Sequence, residues 1–119
     1  MPLTALDFQQ ARIKQVLFKS RLRSVLYGVR VPEQELFDMR HNALAQWLLT
    51  VARPHFGARP EVVTLERTVQ QQLEAGRALV AQYQRGQMEE ARAGLEKINA
   101  FATQIEALLQ HLEKDELVN

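Results

Sequence analysis

The sequence predicts an all-α fold, arranged as an antiparallel four-helix bundle in a single domain, 1–119. Three observations predict it. Turn signals at Gly28 with Val31-Pro32, at Arg53-Pro54 through Arg59-Pro60, and at Gly86 cut the 119 residues into four segments. Ala, Gln, Leu, Glu and Arg dominate those segments, and all are good helix formers. Apolar residues recur at intervals of three and four, while no run of alternating β-branched residues points to a strand.

The first segment opens at Thr4, whose hydroxyl and Asp7 three residues on suit a variant capping box. Its stripe is Phe8, Ala11, Gln15, Phe18, Leu22, Val25 and Val29, flanked by Leu6, Ile13, Leu17 and Leu26. Gly28 suits the left-handed residue past the helix end, with Val29 folding back onto the last turn. The second segment is shorter. Glu33 to Met39 forms a turn or two, and Asn42 to Ala52 is helical, capped by Asp38 or Asn42, with Leu44, Trp47, Leu48 and Val51 apolar. The third starts with Pro60 at the first helical position and Glu61 in the first turn. Val62, Leu65, Val69, Leu73, Gly76, Val80 and Tyr83 follow, and Gly76 in this seam lets a neighbour approach closely. The fourth carries Met88, Ala91, Leu95, Ile98, Ala102, Ile105, Leu109 and Leu112, an a/d stripe over almost four heptads, widened by Phe101 and Leu108. Short connections between four such segments favour antiparallel neighbours.

Composition excludes several function classes. Without Cys there is no disulfide, thiolate zinc site, iron–sulfur cluster or Cys nucleophile. No apolar run reaches the roughly 18 residues of a membrane span, and the first residues lack the basic-then-apolar pattern of a signal peptide. A cytoplasmic chain with no membrane insertion is therefore expected. The net charge of +1 conceals a gradient. Residues 1–30 carry six basic side chains (Arg12, Lys14, Lys19, Arg21, Arg23, Arg30) against Asp7 alone, whereas residues 86–119 carry seven acids against three bases. The two ends should attract each other when adjacent. A nucleic-acid strip is not expected, since overall neutrality and the lack of interleaved Gly and aromatics argue against it.

No phosphate loop, nucleophile elbow or paired-acid arrangement is present, so the chain is not expected to be an enzyme. His41 and His55 with Asp38 are a candidate for a replacement metal site across the second segment. His111 and Asp115 are an i,i+4 pair best read as surface chemistry. Trp47 and Phe56 are the candidate contact aromatics. Trp47 suits the core ahead of a contact surface, and Phe56, between turn residues, suits either a plug for the end of the bundle or a contact surface.

Gln15 is the one polar member of the first stripe, and a buried amide without a partner costs about 1–3 kcal/mol. It lies in the run Leu6-Asp7-Phe8-Gln9-Gln10-Ala11-Arg12-Ile13-Lys14-Gln15-Val16-Leu17-Phe18-Lys19-Ser20-Arg21-Leu22-Arg23. That run resembles the opening of the bacterial chemoreceptor zinc-binding (CZB) domain family, with its acidic-aromatic start and His-x-x-Trp/Phe-Lys. Asn42-Ala43-Leu44-Ala45-Gln46-Trp47 is similar to the family's Cys-x-x-Gly-x-Trp, and spacing sets the family's His-x-x-x-His on Val69 to Leu73. The resemblance implies a helical bundle of bacterial signalling, chemotaxis or cyclic-dinucleotide signalling, working as a homodimer with a signalling partner. The family's zinc is held by three His and one Cys, and those positions here are Gln15, Asn42, Val69 and Leu73. None supplies an imidazole or thiolate. The resemblance thus implies a degenerate member without metal or cofactor, in which Gln15 and Asn42 are expected to hydrogen-bond to each other. Leu6, Ile13, Leu17, Phe101 and Leu108 are surplus to the stripes and suit an oligomer face. Three alternatives stay open: an adaptor without ligand, a small-molecule binder using the vacated metal region, and a metal protein with shifted ligands.

Overall fold

A computed structural model describes residues 2–118 and is all-α, with no strand among them. Helix α1 spans Ala5–Leu26 and begins with a capping box. Thr4 accepts the Asp7 backbone N–H, and the Asp7 carboxylate accepts the Thr4 N–H at 2.7 Å. It ends at Gly28 (φ 75°), where the Val29 N–H donates to the Ser24 carbonyl at 2.8 Å. This turn satisfies the orphan carbonyls of the last turn. The Val29 side chain does not fold back as expected; it is 79% exposed, because the backbone alone closes the turn.

A 3-10 turn, Gln34–Phe37, sets Phe37 into the core, and its ring meets Phe18 edge-on at 6.0 Å. Helix α2 (Ala43–Trp47) continues through a π-helical stretch, Leu48–Ala52, into α3 (Arg53–Phe56). The turn signal expected at Arg53-Pro54 does not end the helix. Pro54 lacks an N–H and its ring crowds the carbonyl four residues back. The backbone widens just before it, with the Arg53 N–H reaching the Leu48 carbonyl, and the helix runs on to Gly57 (φ 68°).

Helix α4 (Pro60–Gln84) supplies the central row, and α5 (Met88–Ala93) and α6 (Leu95–Val118) complete the packing. Phe8, Phe18, Leu22, Leu44, Leu48, Leu65, Leu73, Ile98, Ile105, Leu109 and Leu112 form one contiguous core. Gly76 is in the close approach expected of it. A Cβ there would lie 3.1 Å from Phe37 Cε1 and 3.3 Å from Phe18 Cζ. The expected stripes of α4 and of α5 with α6 are buried except at Tyr83, Leu95 and Ala102, which are half-buried, and at Met88, which is exposed.

The charge gradient has a physical counterpart. Arg12 on α1 reaches Glu106 at 2.9 Å and Glu113 at 2.7 Å on α6, and these carboxylates hold its guanidinium above its ordinary pKa. At the other end of α1, Arg92 of α5 donates to the Leu26 carbonyl at 2.8 Å and stacks on Tyr27 at 4.6 Å. No described helix is long and apolar enough to cross a membrane.

Candidate functional site

Four polar residues are buried among those described: Gln15, Asn42, Thr68 and Gln72. Gln15 faces α4, and its partner is Gln72. The two side-chain amides bond reciprocally, Gln15 Nε2 to Gln72 Oε1 at 2.7 Å and Gln72 Nε2 to Gln15 Oε1 at 2.9 Å. Each amide supplies both donor and acceptor, so neither is left with the cost of an unmet buried group. Thr68 lies one turn before Gln72, and its hydroxyl donates back to the Thr64 carbonyl at 2.8 Å.

The expected Gln15–Asn42 bond is not made. Asn42 caps α2, its Oδ1 accepting the Leu44 and Ala45 N–H groups at 3.0 and 3.1 Å while its Nδ2 donates to the Leu36 carbonyl at 2.8 Å. Both ends of this amide are engaged where the chain enters the helix, which leaves nothing for Gln15. Val69 and Leu73 are plain core residues, as their aliphatic side chains suit. The polar i,i+4 pair on α4 is Thr68 and Gln72, one residue earlier.

Sequence reading missed Thr68 and Gln72. A signal for them exists: Thr68, Gln72 and Leu79 continue from Leu65 and Gly76 of the expected stripe at spacings of three and four, which widens the buried face. Amides and a hydroxyl are weak, neutral donors, and the first ligand lone pair of each glutamine is committed to the other amide. The Gln15–Gln72 pair is suited to fixing helix register and not to proton transfer or strong cation binding.

The histidines sort onto separate partners. His41 Nδ1 sits 2.9 Å from Asp38, and the Arg40 N–H and His41 hold the Asp38 carboxyl below its ordinary value. His55 pairs with Glu116 at 2.5 Å. His41, His55 and Asp38 are therefore not brought together. The described residues do hold one compact set of potential ligands, Glu61, His111 and Asp115, with His111 Nε2 at 3.2 Å from Glu61. A cation already occupies it: Arg59 Nη2 lies 2.7 Å from Glu61 Oε2 and 2.6 Å from Asp115 Oδ2, the same oxygens that face the imidazole. Hydrogen bonding from Arg59 lowers the Glu61 carboxyl to about 2 and raises the guanidinium above its ordinary value. The set is an ion-pair clamp between the start of α4 and the end of α6.

Trp47 is 4% exposed and meets Phe8 edge-on at 6.0 Å, so it packs the core and is removed from any partner surface. Phe56 is half-buried. It lies 6.4 Å from Phe8 and beneath Arg59 at 5.6 Å, so it plugs the end of the core. Of the expected oligomer face, Phe101 and Leu108 are half-buried, Leu108 against the core, while Leu6, Ile13 and Leu17 remain exposed. Val16 joins them at 63% exposure. Compared with known proteins, the chain matches no family model, no curated protein and no solved structure.

Proposed function

We propose that this chain is a non-catalytic regulatory module, an antiparallel four-helix bundle that works without zinc by contact with a signalling partner. The observation that carries the reading is the outward face of α1. A helix that already buries Phe8, Ala11, Phe18, Leu22 and Val25 also exposes Leu6, Ile13, Val16 and Leu17. Apolar patches left in water on a helix with a complete inner face mark contact sites. The extents of 51 × 22 × 22 Å suit a bundle whose longest helix, 25 residues, spans about 37 Å. The reciprocal Gln15–Gln72 pair supports metal independence, since it closes the polar centre with its own hydrogen bonds. The bacterial signalling setting rests on the resemblance to CZB domains.

The test is site-specific photo-cross-linking in the native cell, with the photoreactive residue at position 13 or 17 on α1 and at Gln71, exposed on α4, as the control. A discrete adduct from α1 positions and none from Gln71 is expected. Equal or no adducts at all three positions overturn the reading. Elemental analysis of protein purified without chelator accompanies it, and stoichiometric zinc overturns metal independence. A homodimer is the second reading, favoured by the same exposed residues, and the mass of the adduct separates it from a different partner.

A further inference from the structure

The outward face of α1 also carries information about what it would bind. At 100° per residue, Leu6, Ile13 and Leu17 form a ridge about 17 Å long on the side opposite Phe8, Gln15 and Leu22. Lys14 and Arg21 lie along one flank, and Lys19 and Arg23 along the other. From Phe8 to Pro32 the chain has no acidic residue. Arg12, also on α1, is taken by Glu106 and Glu113. Lys14, Lys19, Arg21 and Arg23 have no carboxylate partner among the described residues, and Arg23 leans over the Tyr27 ring at 5.5 Å. Arg21 and Arg23 are exposed and Lys14 and Lys19 half-buried, and Glu33 and Glu35 line the groove beside Lys14, Glu33 being paired with Arg30. The unpaired cations on both sides of the apolar ridge leave the face with an excess of positive charge, which favours a partner of the other sign.

Shape narrows the partner further. A groove of about 200 Å³ runs beside Lys14, Leu17, Phe18 and Arg21, between α1 and the 30–43 connection. A second, of about 350 Å³, runs beside Val16, Lys19, Arg23 and Ile98, between α1 and α6. A ridge between two grooves receives protruding side chains, as a helix presents them, and a flat lipid surface would leave both unfilled. A second copy of the same face would set four unpaired cations against four others. From this combination of ridge, grooves and unpaired cations, we infer that α1 is a docking surface for an amphipathic helix of a different protein, one whose apolar stripe is flanked by Asp and Glu. This inference rests on reading the chain as an interaction module.

Three labelled 20-residue helical peptides test it: a Leu stripe with Glu flanks, the same stripe with Lys flanks, and the Glu-flanked composition with the stripe scrambled. Fluorescence anisotropy is read with the full chain at low and high salt. The Glu-flanked peptide is expected to bind at least 10-fold more tightly than either control and to weaken as salt rises. Ile13→Ser with Leu17→Ser should weaken it at least 10-fold, and Lys14→Glu with Arg21→Glu should shift preference toward Lys flanks. Ile13, Leu17 and Arg21 are exposed and Lys14 is half-buried, so the melting temperatures should stay within a few degrees of the parent, which separates lost docking from lost folding. Equal affinity for the Glu- and Lys-flanked peptides overturns the inference, as does binding only to phosphatidylserine vesicles. A self-dimer in light scattering that the Ile13→Ser, Leu17→Ser variant loses overturns it too, while the interaction-module reading survives. A monomer that binds none of the probes overturns the inference, and the cross-linking result then decides the wider reading by itself.

Discussion

Breaking one side of the Gln15–Gln72 pair should cost more than removing both. Replacing Gln72 with Met, which keeps an unbranched chain of similar length, leaves the Gln15 amide 7% exposed and without its partner. The two lost bonds, at 2.7 and 2.9 Å, then leave one buried amide facing apolar atoms. Stranding a buried polar group costs about 1–3 kcal/mol, whereas replacing both members by apolar groups of the same shape is nearly neutral or stabilising. For 119 residues the unfolding entropy near 60 °C is roughly 250 cal/mol/K, so 1 kcal/mol corresponds to about 4 °C in Tm. Each single variant should therefore melt about 4–12 °C below the parent. The double variant Gln15→Met, Gln72→Met should melt within about 4 °C of the parent or above it. Calorimetry on all four proteins closes the cycle, and the coupling, the two single losses less the near-zero double loss, should be about 2–6 kcal/mol in favour of the pair. A double variant whose loss equals the sum of the singles would refute the reasoning, because the two amides would then be acting independently.

Other outcomes follow from local geometry. Asn42→Ala removes the acceptor of two backbone N–H groups and the bond to Leu36, and should lower stability by about 1–2 kcal/mol, read as a urea midpoint shift with an unchanged slope. Gly76→Leu forces a side chain into the contact between Phe18 and Phe37 and should cost at least about 2 kcal/mol by thermal melting. The Glu61 carboxyl is lowered to about 2 in the folded chain from an ordinary 4.5, so its contribution is complete above about 4.5 and is lost as pH falls toward 2. Glu61→Gln should accordingly flatten the acid limb of the stability profile between those values; an unchanged acid limb would remove the clamp from the account. Because the group is surface-placed, added salt should shrink the difference between the two proteins.

The helical segments were legible in the chain because their signals are local. Thr4 with Asp7, Gly28, Pro60 and Gly86 mark ends through backbone chemistry that depends on a few neighbouring residues. The stripes of α4 and α6 were legible because a period of 3.6 shows one face whatever lies opposite. The Pro54 signal misled because a widened turn restores the hydrogen bonding that a proline removes, and only the surrounding packing decides whether a helix stops or widens there.

Which polar side chains meet was a different kind of question. The sequence by itself determined that Gln15 falls on an otherwise apolar stripe, where it either finds a partner or stays wet, that the chain carries no thiolate, and that its first segment is basic and its last acidic. It did not determine that the partner is Gln72, 57 residues away, or that Asn42 is committed to capping α2. It also left open that, among the described residues, Arg12 is the α1 cation that pairs with α6 carboxylates, while four other cations on α1 have no carboxylate partner. A helix period fixes the face a residue occupies, but the axial offset between two helices fixes which residues on those faces come within hydrogen-bond reach. That offset is set by how Phe8, Phe18, Phe37, Trp47 and Gly76 fit together in the core, and it exists only once the helices have packed.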